Sequence, residues 1–183
     1  MITNDIINFL PGARLGLLAG FLLATVITDT AARKIPNKLV LGGLVVAFLC
    51  QGLISGGGGL LEAAKGMGLG FVLFLPLYLL RVMGAGDVKL MAMVGAFTGM
   101  QDIVGIVLFT LLAGGVLSLA FALKLKSLNR LIDNVRYLAL SGISKVAAGK
   151  IPVNDFPINS IGTLPYAWAI TLGTAGYFFW QSV

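Results

Sequence analysis

Two aspartates stand where the surrounding sequence is apolar enough for a membrane, and they are the residues best suited to chemistry. Asp29 closes the first apolar run, and Asp87 lies between two others, within segment 84–90 (GAGDVKL). An ionisable side chain in such a setting is costly and by default indicates function. The chain has no histidine and one cysteine, which excludes zinc sites built on those residues, Cys-His nucleophiles and Ser-His triads within it. Any hydrolytic chemistry must therefore fall to carboxylates.

Two carboxylates can hydrolyse a peptide bond without a metal or a covalent intermediate. The ionised one takes a proton from water, while the protonated one donates to the carbonyl oxygen or to the leaving nitrogen. Like charges a few ångströms apart do not both ionise readily, so such a pair shares one proton. Gly84 and Gly86 allow positive φ and the close approach of another chain to Asp87. We therefore expect Asp29 and Asp87 to form a catalytic pair, with no metal and no cofactor.

The composition is that of an integral membrane protein. Of 183 residues, 58% are hydrophobic and 11% are charged, and the mean hydropathy is +0.99. The net charge of +6 does not indicate nucleic-acid binding, because no basic face with aromatic residues and no recognisable binding module is visible in the sequence. Cys50, among apolar neighbours, is expected to face lipid or a helix and not to be a reactive thiol. We predict one all-α domain, a polytopic helix bundle in contact with membrane lipids.

Six apolar stretches predict about six transmembrane helices. Their expected bounds are 12–29, 38–54, 66–82, 88–100, 103–123 and 164–180. Pro11 is expected to open the first helix and Pro76 to kink the third. In residues 124–147, leucine and isoleucine recur at helical spacing with basic residues interspersed. This pattern predicts an amphipathic helix on the cytoplasmic membrane surface. A helix packed on the bundle is the alternative for that segment.

A signal peptide is the rival interpretation of the first stretch. Arg33 and Lys34 follow that stretch at once and would stop its translocation, so a membrane span is favoured. Of the 13 lysines and arginines, 11 fall in or beside the connections that follow the first, third and fifth stretches. Arg14 and Lys65 fall on the opposite side of the membrane. The positive-inside rule therefore predicts that these connections are cytoplasmic and that both termini are extracytoplasmic.

The two aspartates are expected at one depth under the cytoplasmic face. Asp29 is four helical steps, about 6 Å, from Arg33. The fourth stretch, at about 1.5 Å per residue, is about 20 Å long, so it spans a hydrocarbon core of about 30 Å only if Asp87 lies inside the bilayer boundary. We expect the two carboxylates to be close enough for one water between them.

By itself Gly-x-Gly-Asp is also typical of a turn before a helix-capping aspartate, and that interpretation is favoured when the four residues are taken alone. The wider pattern is more specific: residues 35–37 (IPN) follow Asp29, and segment 84–90 is followed by Gly95, Ala96 and Gly99. In motif, spacing and span layout the chain resembles the type IV prepilin peptidases, the GxGD class of intramembrane aspartic proteases.

That resemblance implies a role for both aspartates and a substrate. Asp29 and Asp87 would be the catalytic pair, cutting the short basic leader from prepilins just after a glycine, at the cytoplasmic border of the pilin's own transmembrane segment. The protein would then be a multi-pass protein of the bacterial inner membrane, with prepilin-like membrane proteins as partners.

The chain also departs from the larger members of that family, which carry a cytoplasmic insertion with paired cysteines and methylate the new pilin N-terminus. Here 11 residues precede Gly12 and Cys50 stands alone, which resembles the short form of Flp-type or related pilus systems, without methylation. Archaeal preflagellin peptidases are close relatives and stay an alternative. Presenilin-type proteases need a Pro-Ala-Leu element, which residues 164–166 (LPY) do not match.

Four further residues are candidates to support the site or to bind substrate. Lys89 either snorkels to the interface or lines the site, where it would bind a substrate carbonyl or favour an ionised Asp87. Thr30 and Asn37 could hydrogen-bond the chain or the catalytic pair. Pro36 restricts the residue before it and cannot continue a helix, which fixes the first connection.

Two other function classes use the same residues differently. A small proton-coupled transporter would use the carboxylates as a relay, but the acids lie at one face and no inverted repeat is evident in the sequence. A non-catalytic assembly factor of a pilus machine would need neither acid. Asp102 and Asp133 are expected to be solvated interface residues.

Overall fold

The computed structural model of the chain describes residues 2–80, 82–124 and 165–183, and every regular element within these ranges is an α-helix. The helices are α1 (Ile2–Ala32), α2 (Asn37–Leu79), α3 (Ala85–Thr98), α4 (Met100–Lys124) and α5 (Ala167–Ser182). They belong to two compact units, Met1–Ala113 with Pro165–Val183, and Gly114–Leu164, of which the structure describes only the end of α4. The predicted all-α fold is confirmed for these ranges, while the amphipathic helix predicted for 124–147 lies almost wholly outside them.

Three of the described helices are long and apolar enough to cross a membrane. They are Gly12–Ala32 within α1, Asn37–Leu79, and Met100–Phe121 within α4. Three such helices fit a multi-pass membrane protein. The count of six spans stays a prediction, because α3 and α5 have 14 and 16 residues, fewer than the roughly 20 that a bilayer requires.

The 43 residues of α2 form a helical hairpin. Gly56 has φ 58° and ψ −137°, which are not helical values. A Cβ on Gly59 would collide with the carbonyl oxygen of Gln51, and in a continuous helix these residues would lie about 12 Å apart. The chain therefore reverses at Gly56, and the two halves, 37–55 and 57–79, correspond to the second and third predicted stretches.

Several predicted boundaries are wrong. α1 begins at Ile2, so Pro11 lies inside it and does not open it; a proline removes only one intrahelical hydrogen bond. The gap between the second and third predicted stretches (55–65) shrinks to Gly56, since apolar surroundings favour backbone groups that are bonded within a helix. A kink was expected at Pro76. That residue lies inside α2, and the non-helical backbone angles of α2 are at Gly56. α3 begins at Ala85, which puts Asp87 in its first turn.

The central element is α3, which is buried without interruption from Leu90 to Gly99. It crosses the second half of α2 where Gly66 faces Gly95, and a Cβ on either glycine would collide with the carbonyl oxygen of the other. Small residues permit such backbone contact between membrane helices. Asp87 lies eight residues before Gly95, about 12 Å away along the axis of α3. The contact between Gly66 and Gly95 therefore also fixes the position of the first turn of α3, which carries Asp87.

Candidate active site

Asp29 lies in the last turn of α1, with 7% of its surface exposed. The helix ends at Ala32, and Arg33 takes a left-handed conformation with φ 52°. The N–H of Arg33 donates to the Asp29 carbonyl oxygen at 2.9 Å, an arrangement typical of helix C-termini. Pro36 then caps α2, and its carbonyl oxygen accepts from the N–H groups of the third and fourth residues after it. Asp29 thus lies in the last turn of α1, just before the chain leaves the helix at Arg33.

Asp87 lies in the first turn of α3, and its Oδ2 accepts a hydrogen bond from the Gly84 N–H at 3.0 Å. The Asp87 N–H in turn donates to the Gly84 carbonyl oxygen at 3.1 Å. The helix-capping interpretation therefore describes the local geometry correctly. It leaves the second carboxylate oxygen of Asp87 available for another role, because each carboxylate has two acceptor oxygens.

The motif glycines, Gly84 and Gly86, matter because they lack a side chain and not because their backbone angles are unusual. Gly84 has φ −81°, and the glycines with positive φ in the described ranges are Gly56 and Gly99, so neither motif glycine uses the positive φ that it allows. Close approach does occur at Gly86, where a Cβ would lie 3.3 Å from the Cβ of Ile35. The absence of a side chain at Gly86 lets the connection after α1 pack against the first turn of α3.

The two aspartates lie close enough for their charges to interact. The site also includes the start of α5, where the Ala167 N–H donates to Asp29 Oδ2 at 3.2 Å. Tyr166 lies within the electrostatic range of Asp87 and packs edge-on against Phe74, with ring centroids 6.4 Å apart.

The two carboxylates are held in matching ways. One oxygen of each accepts from a backbone N–H, that of Ala167 for Asp29 and that of Gly84 for Asp87. Within the described ranges no hydrogen bond reaches the other oxygen of either. The arrangement fixes both side chains while leaving an oxygen of each available to water or to a proton.

The contribution of α5 was missed by sequence reasoning. Pro165 before an apolar run is a signal for a helix start, but it does not say which residue the N-terminus of that helix will meet. The helix is tied to α1 a second time, since the Trp168 Nε1–H donates to Thr30 Oγ1 at 3.1 Å. Thr30 is therefore hydrogen-bonded to Trp168 and not to either aspartate.

Lys89, near the start of α3, and Asn37, at the start of α2, are hydrogen-bonded to each other. The Lys89 ammonium donates to Asn37 Oδ1 at 3.1 Å, and both residues are exposed. Asn37 is the first residue of α2, directly after the capping Pro36. Of the two roles expected for Lys89, this position favours a place on the rim of the site, with its ammonium away from the core.

Asp102 is not simply solvated, contrary to the expectation. It accepts hydrogen bonds from the Tyr177 hydroxyl at 2.9 Å and from Gln181 Nε2 at 3.2 Å. Asp133 lies outside the described residues. In the part of the chain that the structure describes, acidic and cysteine side chains do not gather in groups of three or more that could hold a metal ion.

Comparison with known proteins gives one match. A sequence model of the type IV leader peptidase family matches residues 16–119, which contain both aspartates, α2, α3 and most of α4. Searches of curated proteins and of solved structures found no match. The α5 helix, which donates to Asp29, lies outside the matched residues. Because the match covers more than half of the 183 residues, the chain belongs to the type IV leader peptidase family.

Proposed function

We propose that this peptidase is a membrane-embedded aspartic endopeptidase that removes the short basic leader of prepilin-like or Flp-type proteins. The observation that carries the proposal is the convergence of Asp29 and Asp87 from separate helices in a member of a leader peptidase family. Both carboxylates are oriented by backbone N–H groups, and each keeps an oxygen that no described residue occupies. This is what an acid-base pair needs in order to act on a water between its members.

In the proposed reaction, one carboxylate is ionised and the other carries the proton. The ionised group takes a proton from the water as it attacks the scissile carbonyl carbon. The protonated group donates to the carbonyl oxygen and, as the carbon–nitrogen bond breaks, a proton passes to the leaving nitrogen. Hydrolysis consumes one water and returns the pair to its singly protonated state. No covalent intermediate, metal or cofactor takes part.

The proposed location is the cytoplasmic edge of the bacterial inner membrane. Arg33, Lys34 and Lys38 lie in or beside the connection that follows Asp29, at the end of the bundle where the acids meet. The positive-inside rule supports a cytoplasmic position for this end. A substrate whose basic leader stays in the cytoplasm would then present its junction at the depth of the two carboxylates.

The decisive experiment is cleavage of co-expressed prepilins by single aspartate variants. Asp29→Asn and Asp87→Asn keep size and shape but remove the acid, so each should lower cleavage by at least about 100-fold, the lower range of general acid-base catalysis. Asp102→Asn is the matched control, because Asp102 belongs to a different hydrogen-bond network and should cleave at close to the normal rate. A preflagellin assayed in parallel separates the two substrate classes.

All three variants must insert and fold, which membrane fractionation and thermal unfolding in detergent would check. Retained cleavage in a correctly folded Asp29→Asn or Asp87→Asn variant would refute the pair. Pilus assembly that depends on the chain but is indifferent to both substitutions would instead support a non-catalytic assembly factor.

A further inference from the structure

An apolar groove runs along the hairpin formed by the two halves of α2. It is lined by four residues between positions 37 and 44 of the first half, four between positions 67 and 72 of the second half, and Lys89 and Ala92 of α3, and its volume is about 550 Å³. A second apolar cavity of about 370 Å³ shares Leu44 and Met67 with the first and continues to Leu49. From Asn37 to Leu49 the two extend for about 18 Å along the helix.

One end of the groove lies at the level of the first turn of α3. Lys89 and Asn37, bonded to each other, are its polar residues at one end. Lys89 is two residues from Asp87 on α3, and Asn37 is two residues from Ile35, which packs against Gly86. The polar end of the groove therefore lies within about 3 Å of Asp87 along the axis of α3, on a different side of that helix.

We propose that this groove binds the apolar transmembrane segment of the substrate, with the cytoplasmic end of that segment against Lys89 and Asn37. The inference rests on the proposed function, in which the scissile bond directly precedes such a segment. The groove is elongated and covers more than half of a hydrocarbon core about 30 Å thick. It therefore matches one face of a helix, whose own backbone groups are already hydrogen-bonded.

The charge at the rim supports the same occupant. An ammonium has three donors, and the hydrogen bond to Asn37 Oδ1 uses one of them. A substrate chain that leaves its helix at the scissile bond exposes backbone carbonyl oxygens at this depth. Lys89 is positioned to donate to such an oxygen at the polar end of the groove.

Two glycines provide a matched test of the groove. Gly68 lines it, Gly20 lies on α1 and does not line it, and a Cβ on either meets no atom within 4 Å. Gly68→Phe would place a phenyl ring in the groove, whereas Gly20→Phe adds the same bulk and the same change in helix propensity elsewhere. With a prepilin substrate that carries its transmembrane segment, we expect Gly68→Phe to raise KM by roughly tenfold or more and Gly20→Phe to leave it within about twofold.

Photo-crosslinking identifies the occupant directly. A photoreactive phenylalanine analogue at Phe71, which lines the groove and is 40% exposed, would be placed in an Asp87→Asn chain together with the prepilin. Capture of the prepilin through its transmembrane segment supports the proposal. Capture of lipid alone, or of residues 125–164 of the same chain, would overturn it.

The results also separate this inference from the proposed function. Cleavage by the unaltered chain, and its loss in Asp87→Asn, tests the catalytic pair alone. If that cleavage occurs while Gly68→Phe and Gly20→Phe have the same KM, the groove is refuted and the peptidase stands. If no cleavage occurs but the prepilin is captured at Phe71, the groove stands and the catalytic assignment fails.

Discussion

Asp29 and Ala167 are joined by a hydrogen bond although 138 positions separate them in the sequence. The donor is the backbone N–H of the first residue of α5, and the acceptor is Oδ2 of Asp29 in the last turn of α1, at 3.2 Å. A helix N-terminus carries partial positive charge, so this contact stabilises a carboxylate. A helix outside the segment matched by the family therefore contributes to the site.

Removing that donor should slow cleavage without removing either acid. Replacing the peptide bond between Tyr166 and Ala167 by an ester deletes the N–H and leaves every side chain in place. A hydrogen bond to a charged group contributes about 1.5–3 kcal/mol, so we expect kcat/KM for prepilin cleavage to fall by roughly tenfold to a hundredfold.

The control is an ester between Ala167 and Trp168. It deletes an N–H that donates to the Pro165 carbonyl oxygen and not to Asp29. If both esters reduce cleavage equally, the loss reflects the start of α5 in general, and the contact with Asp29 has no special role.

The two motif glycines should differ in their tolerance of alanine. A Cβ on Gly86 would lie 3.3 Å from Ile35 Cβ, a tight contact, whereas a Cβ on Gly84 would lie 3.5 Å from Asp87 Oδ2, an ordinary one. Gly86→Ala should push the 33–36 connection away from α3 and lower kcat by about tenfold or more, since catalysis is sensitive to displacements of about 1 Å. Gly84→Ala should stay within about threefold. The reverse order in a cleavage assay would contradict this account of the motif.

Lys89 offers a test of whether the rim of the site contacts substrate. Lys89→Met keeps the length of the side chain and removes the ammonium that donates to Asn37. If Lys89 binds a substrate carbonyl, KM for prepilin should rise by roughly tenfold, the effect of losing a charged hydrogen bond, while kcat changes little. Asn37→Ala, which removes only the protein partner of Lys89, should have a smaller effect. An unchanged KM in Lys89→Met would mean that the ammonium serves only to reach the membrane interface.

A polar cluster apart from the aspartate pair should affect stability and not catalysis. Gln51 is buried, accepts from Arg14 Nη1 at 3.0 Å and donates to the Phe97 carbonyl oxygen at 3.2 Å. Gln51→Leu leaves both partners without their bond, which should lower the free energy of unfolding by about 1–3 kcal/mol. Thermal unfolding in detergent measures this, and Gln101→Leu, an exposed position on α4, is the control. Because Gln51 contacts neither aspartate, cleavage at permissive temperature should be unchanged.

Much of the architecture follows from the sequence. Apolar runs of sufficient length predict membrane helices because a bilayer accepts only backbone whose polar groups are bonded internally, and three described helices meet that criterion. The gap between the second and third predicted stretches implies a reversal, and the structure has one at Gly56. Boundaries were less predictable, since Pro11 lies inside α1 and the second half of α2 begins nine residues earlier than position 66.

The identity of the two acids was available from the sequence, because charged residues in apolar surroundings are costly and few. Their partners were not. Ile35 packs against Gly86, and Gly66 and Gly95 allow two helix backbones to come into contact. The presence of a glycine in the sequence does not indicate which residue will pack against it. Lys89 and Asn37 are 52 positions apart, and neither helical periodicity nor charge pattern relates them.

The sequence by itself determined that this is an apolar helical membrane protein with two isolated aspartates and without the histidines of other hydrolytic sites. Only the tertiary structure decided that Asp29 meets the N-terminus of α5, that Gly84 holds Asp87, and that an apolar groove runs along α2 with Lys89 and Asn37 at one end. The physical reason is that burial and periodicity are local properties of the chain, whereas the directions of hydrogen bonds and the fit of helix to helix depend on which elements pack together.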